Sequence, residues 1–363
     1  MSTTPKIKGL RARPVLAPMN RPLHTASGAI DKAPLVLVDL ETDAGITGSS
    51  YVFTYAPFAL NSVVALLDSL GELIKGEPAD PVPLAQLLAK RFALMGGQGF
   101  TMIAAAGIDM ACWDIAAKAA NLPLVKLLGG TPRPVQAYNS CGLGIMGAAK
   151  AAKEAEELVA PGFKAVKVRL GYPTREEDVA VVRAVRKAIG VGVTLMSDYN
   201  QSLSAPEAQA RAAMLDHEGL YWIEEPVRYD DYAGCARIAR DAATAIQIGE
   251  NCWGPHDMEK ALAAEACDYF MADAVKIGGV SGWLHAAGMA QARGMPLSSH
   301  LFPEVSVHLL AVSPTCHWLE YVDWASALLQ EPIVVKDGFA QNPQRPGIGM
   351  SWNEDAVARC IVK

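Results

Sequence analysis

Three acidic residues recur at one interval in the second half of the chain. Asp198, Glu224 and Glu250 stand 26 residues apart, and each closes a short apolar run rich in β-branched or aromatic residues. A loop and an amphipathic stretch follow each run, which is the pattern of a strand, a βα loop and a helix. Hard cations such as Mg²⁺ prefer oxygen ligands that converge from different elements. Because the carboxyl ends of barrel strands supply that geometry, the spacing predicts a Mg²⁺ site.

Two basic residues occupy the strand before this series. Lys167 and Arg169 stand two residues apart in KAVKVRLG, so the period-2 alternation of a strand points both to one face. Cations inside a barrel are costly unless an anion meets them. The carboxylate cluster or a bound acidic substrate would supply that anion. The alternative is that both are solvated residues at the rim of the barrel.

Titratable residues also end the later strands. Asp273 and Lys276 lie in MADAVKIGG, His300 ends MPLSSH, and Glu320 ends HWLE. A lone Asp or His is usually a structural hydrogen-bond partner, but a carboxylate beside an imidazole on neighbouring strand ends makes a general base. Glu320 is available as an acid if burial raises its pKa. With a metal, this set predicts removal of the α-proton of a carboxylate through a stabilised enediolate.

These residues need a barrel to position them. Residues 6–55 alternate apolar and polar positions with a turn near residues 43–45, and residues 57–128 are helical in pattern, which predicts an α+β module. After residue 134 strands and helices alternate, which favours a closed barrel of about 200 to 250 residues. The tail is expected to pack back on the first module. The eight strand candidates are PVQAYNS, KAVKVRL, VTLMSDY, LYWIEEP, AIQIGEN, YFMADAV, MPLSSHL and HWLEYV.

Composition removes several classes of function. The 363 residues are 51% hydrophobic and 19% charged, and the net charge of −6 gives no electrostatic reason to expect a nucleic-acid partner. The first residues lack the apolar core of a signal peptide, and no apolar stretch is predicted to span a membrane. The seven cysteines are scattered, which is typical of reduced thiols. We therefore expect a cytoplasmic protein. Phosphate-loop, GxSxG and HExxH spellings are absent from the sequence.

The motifs together resemble a known family. VKVR, DYN, WIEEP, GEN, DAVKIGG, SSH and HWLE, in this order, resemble the mandelate racemase subgroup of the enolase superfamily. The resemblance runs through nearly the whole chain. It implies a modified TIM barrel of the (β/α)₇β type under an α+β capping domain, with the capping domain at residues 1–130, the barrel at 131–328 and a carboxyl-terminal segment at 329–363. It also implies a homo-oligomer, an octamer.

The resemblance assigns roles to individual residues. Asp198, Glu224 and Glu250 would hold Mg²⁺, and His300 paired with Asp273 would be the base on one face of a small carboxylate substrate. Glu320 would be an acid that hydrogen-bonds the substrate carboxylate, and Lys167 would contact that carboxylate. The loops RPLHTASGAI and SYVFTY would close over the substrate. Further contacts with the substrate are expected from Ser140, Asn200, Lys276, His24, Ser27, Phe53 and Tyr55.

One position departs from the family pattern. The base on the second face is the second lysine of a Lys-x-Lys pair, and this chain has Arg169 there. Because an arginine side chain holds its proton at neutral pH, it is a poor base. The leading prediction is a Mg²⁺-dependent racemase or epimerase of a 2-hydroxy acid. An acid-sugar dehydratase that uses His300 alone is the rival, and a binding protein that has lost catalysis is a third reading. Ser27 is a milder departure, since the family position is apolar, and its hydroxyl would tolerate a more polar substrate end.

Overall fold

A computed structural model describes residues 4–362 of the chain. The first module contains a three-stranded antiparallel sheet in the order β1-β2-β3, in which Gly45 with φ 74° turns the chain between β2 and β3. Helices α1 to α4 follow, with a 3₁₀ turn at Pro57–Ala59 before α1. The bounds are β1 Ile7–Thr25, β2 Gly28–Thr42, β3 Thr47–Phe53, α1 Leu60–Ile74, α2 Pro81–Phe92, α3 Phe100–Ala119 and α4 Leu124–Leu127.

Residues 21–30, which the resemblance implies are a capping loop, continue the β1–β2 ladder. Leu23 pairs with Ile30 and Thr25 pairs with Gly28, so the segment is a long hairpin with Ala26 and Ser27 at its tip. The capping loop implied by the resemblance is therefore a β-hairpin. Pairing between two distant stretches of chain determines this ladder, and local composition does not report it.

Helix α3 is apolar on all sides because it is enclosed. It packs between β3 and a barrel helix, and Gly48 of β3 allows the close approach, since a Cβ there would lie 2.1 Å from the Ala111 carbonyl oxygen. By length and composition alone, Phe100–Ala119 and Pro57–Ile74 would each suffice to cross a membrane. Within α3, however, Asp109 and Asp114 are buried with hydrogen-bond partners, as expected for a helix of a protein core.

The second module is a closed barrel of eight parallel strands. Neighbouring strands pair in chain order, and β11 pairs with β4 to close the sheet. The structure confirms the predicted α/β barrel with an amino-terminal capping module, and each of the eight candidate segments overlaps one of its strands. The strands are β4 Val135–Asn139, β5 Ala165–Arg169, β6 Thr194–Asp198, β7 Ile223–Glu224, β8 Ile246–Ile248, β9 Tyr269–Asp273, β10 Leu297–His300 and β11 Cys316–Tyr321.

Seven helices connect these strands in the order expected for a (β/α)₇β barrel. Helix α6 begins with a capping box, in which Thr174 accepts from the Glu177 backbone N–H and Glu177 accepts from that of Thr174, as the spelling Thr-Arg-Glu-Glu predicts. The helices are α5 Ala148–Val159, α6 Arg175–Ile189, α7 Ala205–Leu215, α8 Tyr232–Asp241, α9 Pro255–Ala263, α10 Gly279–Arg293 and α11 Pro303–Val312.

Large side chains fill the amino-terminal half of the barrel. Tyr138, Trp222 and Trp318 are buried there, and the ring centroids of Tyr138 and Trp222 are 5.5 Å apart at a nearly perpendicular angle. The barrel is therefore a packed core at this end. Polar side chains gather at the opposite end, where the βα loops begin.

The tail contacts both modules. After a 3₁₀ turn at Ser326–Leu328, the hairpin β12 Val335–Lys336 and β13 Phe339–Ala340 adds to β4 of the barrel. Helix α12, Glu354–Cys360, lies against β1, and Trp352 Nε1 donates to Asp39 Oδ1 at 2.8 Å. The tail thus contacts the capping module and also extends the barrel sheet.

Candidate active site

Three carboxylates converge at the carboxyl ends of β6, β7 and β8. One oxygen from each of Asp198, Glu224 and Glu250 lies within 4.8 Å of the others, and all three residues are buried. Burial raises the pKa of Glu224 well above its usual range; Lys167 opposes this, and repulsion from Asp198 and Glu250 adds to it. A cluster of buried, mutually repelling oxygen ligands fits a hard divalent cation. The arrangement is therefore a site fitted for Mg²⁺.

Neighbouring donors fix the orientation of two of these carboxylates. Glu224 Oε2 accepts from Trp222 Nε1 at 3.0 Å, and Asp198 Oδ1 accepts from the Asn200 backbone N–H at 2.8 Å. Asn200 Nδ2 donates to Asp198 Oδ2 at 3.0 Å, while Asn200 Oδ1 has no hydrogen-bond partner within residues 4–362. That buried oxygen is free to accept a hydrogen bond from a bound molecule.

Lys167 is buried among carboxylates. Its Nζ lies 2.6 Å from Glu224 Oε1, 2.9 Å from Glu320 Oε1 and 3.3 Å from Asp198 Oδ2. Burial alone would lower the pKa of Lys167, but these charges raise it well above its ordinary value. Lys167 is therefore held as a cation at the edge of the metal cluster. The solvated-rim alternative does not describe this residue.

Arg169 projects to the same side of β5 but donates to a different set of groups. Its guanidinium donates to the Gly142 carbonyl at 2.6 Å, to the Ser140 carbonyl at 3.2 Å and to Ser140 Oγ at 2.7 Å. It also lines the cavity described below. Ser140 does not line that cavity among the residues the structure describes, and its Oγ donates to Glu320 Oε1 at 2.7 Å. Ser140 thus connects Arg169 to Glu320.

Glu320 is held as a carboxylate. It accepts from Lys167, from Ser140 and, at 2.9 Å, from the Leu301 backbone N–H. Burial would raise the pKa of Glu320, but the charges of Lys167, His300 and Arg169 hold it well below its usual range. These contacts favour the ionised form, which differs from the acid role that the resemblance implies.

His300 and Asp273 form the expected pair. His300 Nδ1 lies 2.6 Å from Asp273 Oδ2, and Asp273 Oδ1 is fixed by the backbone N–H groups of Val275 and Lys276 at 2.8 Å. Nε2 therefore faces the cluster, 3.4 Å from Glu250 Oε2. Burial would lower the pKa of His300, but Glu250, Glu320 and Asp273 raise it to about 9. Because a bound cation would offset Glu250, it would return the imidazole toward the neutral form that a base needs.

A cavity of about 830 Å³ opens over these groups. Of the predicted substrate contacts, Ser27, Phe53, Tyr55, Asn200 and Lys276 line it. The structure does not bring His24 into the cavity, because alternation along β1 turns Leu23 and Thr25 inward and His24 outward to a separate groove. The wall away from the metal cluster is largely apolar. It includes Leu23, Ile30, Phe53, Phe58, Phe100, Ile103, Trp253 and Trp324.

Glu225 and Asn251 line the cavity and were missed by the sequence analysis. Asn251 Nδ2 donates to Glu225 Oε1 at 2.8 Å and to Glu250 Oε1 at 3.1 Å, and Lys276 Nζ donates to Asn251 Oδ1. Lys276 Nζ also lies 4.2 Å from the centroid of the Tyr55 ring and 5.8 Å from that of Trp253. Glu225 and Asn251 directly follow predicted ligands in WIEEP and GEN, which is the signal that could have found them.

Family comparison agrees with both modules. Residues 150–356 match the family described as enolase C-terminal domain-like, and residues 9–129 match the mandelate racemase / muconate lactonizing enzyme, N-terminal domain. The chain therefore belongs to the enolase superfamily.

Individual relatives are similar over nearly the whole chain. The structure of an enolase from Bradyrhizobium, complexed with magnesium and mandelic acid, is 42% identical with a TM-score of 0.96 and covers 100% of both chains. The structure of an enolase from alpha proteobacterium bal199, with bound Mg, is 44% identical with a TM-score of 0.96, covering 98% of this chain and 99% of that one. L-talarate/galactarate dehydratase of Salmonella typhimurium is 29% identical over 90% of this chain and 82% of its own length. Other relatives are cycloisomerases and epimerases.

Proposed function

We propose that this protein is a Mg²⁺-dependent enzyme that removes the α-proton of a 2-hydroxy carboxylate, with His300 as the base. The observation that carries the proposal is the His300–Asp273 pair, whose Nε2 faces the three-carboxylate cluster at 3.4 Å from Glu250. A base beside a cation site is the arrangement that makes the proton of a carbon next to a carboxylate removable.

Each residue has a distinct task in this proposal. Mg²⁺, when held by Asp198, Glu224 and Glu250, supplies positive charge that offsets the negative charge of the substrate carboxylate as the proton leaves. Asp273 accepts from Nδ1–H of His300 and so leaves Nε2 free to take the proton. Lys167 and Arg169 lie on β5, which is three strands from β10 around the barrel. Their positive charges face the cavity and would stabilise the negative charge that develops on the substrate carboxylate.

The leading product chemistry is racemisation or epimerisation, of the kind found in the mandelate racemase subgroup. The apolar wall formed by residues such as Phe53, Phe100 and Trp324 supports a substrate with an apolar substituent rather than a chain of hydroxyl groups. The similar Bradyrhizobium protein holds magnesium and mandelic acid, which agrees with such a substrate. We also propose a homo-oligomer, an octamer, by the same family resemblance, and a cytoplasmic location from the scattered cysteines.

A dehydratase is the second candidate, and the geometry of Arg169 favours it. Its guanidinium is held by hydrogen bonds to Gly142 and Ser140, and because a guanidinium keeps its proton at neutral pH, the residue is suited to donate and not to act as a base. Elimination of water from a 2,3-dihydroxy acid needs only one titrating base, which His300 supplies. Relatives such as L-talarate/galactarate dehydratase are named for that class of reaction.

Incubation with Mg²⁺ in ²H₂O separates the candidates. A panel of aryl and alkyl 2-hydroxy acids and of acid sugars would be followed by ¹H NMR and chiral chromatography. Exchange of the α-proton with inversion supports a racemase or epimerase, whereas release of a 2-keto acid identifies a dehydratase. If no acid exchanges its α-proton and none releases a 2-keto acid, the enzyme proposal is wrong and the binding-protein reading replaces it.

A further inference from the structure

A buried carboxylate outside the cavity ties together the loops that follow two neighbouring strands. Asp178, on α6, is 1% exposed. Its Oδ1 accepts from the backbone N–H groups of Gly171 at 3.0 Å and Tyr172 at 2.9 Å. Its Oδ2 accepts from Tyr199 Oη at 2.8 Å and from Arg211 at 2.6 Å. Four donors thus meet at one carboxylate, and they come from the β5–α6 loop, the β6–α7 loop and α7.

The position of Tyr199 in the chain connects this group to the metal site. Tyr199 lies between Asp198 and Asn200, and it is Asn200 whose backbone N–H fixes Asp198 Oδ1. Asn200 has φ 46°, a left-handed conformation that costs energy for a residue with a Cβ. The surroundings must therefore hold this turn in place. The Tyr199 backbone N–H donates to the Glu224 carbonyl at 3.0 Å, and the Tyr199 hydroxyl is anchored on Asp178.

We propose that Asp178 and Tyr199 are positioning residues for the cation site. The Tyr199–Asp178 hydrogen bond holds the strained turn that aims the Asp198 carboxylate at the other two ligands. Asp178 and Tyr199 both lie outside the cavity lining, so they act through Asp198 and not by contact with a substrate. Outer partners that orient metal ligands commonly change metal affinity when they are removed, by about 10- to 100-fold for direct partners of a ligand. Because Tyr199 acts one residue away, we expect about a three- to tenfold effect.

The same carboxylate offers a matched control. Tyr172 is also a buried tyrosine of this group, but its hydroxyl accepts from the Met146 and Gly147 backbone N–H groups, each at 2.9 Å, in the loop after β4. Tyr172→Phe and Tyr199→Phe therefore remove the same atom from similarly buried sites. Of these two tyrosines, only Tyr199 directly follows a metal-ligand candidate, Asp198, in the sequence.

The test is calorimetric titration of chelator-treated full-length protein with Mg²⁺ alone. Tyr199→Phe is expected to raise the Kd for Mg²⁺ about three- to tenfold, with Tyr172→Phe staying within about twofold of the wild type. Thermal unfolding of both variants would show whether they lose similar stability. A wild-type Kd in Tyr199→Phe overturns the proposal, and so does an equal loss of affinity in the two variants, which would reflect general destabilisation. The measurement needs no substrate, so its failure is distinct from a failure of the proposed reaction.

Discussion

At the scale of single residues, His300 is the group on which the proposed chemistry depends. Replacing it by Asn removes the only imidazole in the described cavity lining while leaving Asp198, Glu224 and Glu250 in place. Because a positioned base contributes about 10²- to 10⁴-fold, His300→Asn should reduce α-proton exchange by at least about 100-fold. Exchange would be measured by ¹H NMR in ²H₂O, with Mg²⁺ affinity as the control for an intact site. Unchanged exchange would mean that another residue is the base.

Arg169 occupies the position of the second base, on the face of the substrate away from His300. Its guanidinium is engaged by Ser140 and Gly142 as a donor only. Lysine at this position can lose its proton and act on the face away from His300, so Arg169→Lys should raise the ratio of inversion to exchange. Chiral chromatography alongside NMR exchange measures that ratio. If the wild type already inverts each time it exchanges, the guanidinium is competent and the interpretation fails.

The positions of the three clustered carboxylates and of the His300–Asp273 pair could be predicted from the sequence, because each residue closes a strand that the local sequence specifies. An apolar run of β-branched residues closed by a carboxylate specifies both the strand and the side of the barrel on which the carboxylate lies. Glu225 was not found, because its backbone turns to φ 37° just after the strand and redirects the side chain into the cavity. The alternation of side chains along a strand predicts side-chain direction only as far as the strand continues, so it does not apply to Glu225.

At the scale of elements, the β1–β2 hairpin closes one side of the cavity. Ser27 at its tip donates to the Asn200 carbonyl, and a Cβ on Gly171 would lie 2.8 Å from the Ala26 Cβ. The tip therefore rests directly on the loops that follow β5 and β6. His24 could not be placed from sequence, because its outward direction follows from the register of this hairpin.

Ser27→Ala should loosen the hairpin without touching the base or the metal ligands. Loss of the hydrogen bond to Asn200 is expected to raise KM about two- to fivefold with a smaller change in kcat, which corresponds to about 0.5–1 kcal/mol. Amide hydrogen exchange of residues 23–30 should become faster. Ser69→Ala, which removes a donor to the Ala65 carbonyl on α1, is the matched control. Equal amide exchange rates in Ser27→Ala and wild type would show that the hydrogen bond from Ser27 to Asn200 does not hold the hairpin in place.

At the scale of the whole molecule, His308 joins three parts of the chain. Its Nδ1 accepts from the Val125 backbone N–H at 3.2 Å, and its Nε2 donates to the Ile348 carbonyl at 3.0 Å. His308 on α11 therefore contacts both α4 and the tail. Burial lowers the pKa of His308 to about 4, because a charged imidazole would be desolvated there.

This lowered pKa has a defined consequence for acid stability. A histidine in the unfolded chain titrates near pH 6.5, so the folded state binds fewer protons than the unfolded state between about pH 6.5 and 4. Stability from His308 is complete above about pH 6.5 and is lost as the pH falls toward 4. Thermal unfolding across that range should show a falling Tm, with a flatter profile in His308→Asn. His217→Asn, at an exposed histidine, should keep the wild-type slope. Parallel profiles for all three proteins would contradict the assignment.

Closure of the barrel through β4 and β11 also limits how the chain can be divided. A fragment of residues 150–356 would begin after β4, so β5 and β11 would each lose their β4 partner. Two unpaired edges with buried, apolar faces favour association between copies. We expect that fragment to aggregate on expression, as judged by size-exclusion chromatography. The stretch from Arg133 to Gly147 lies between the two matched family regions and contains β4. The barrel therefore needs this stretch in order to close and to fold as one unit.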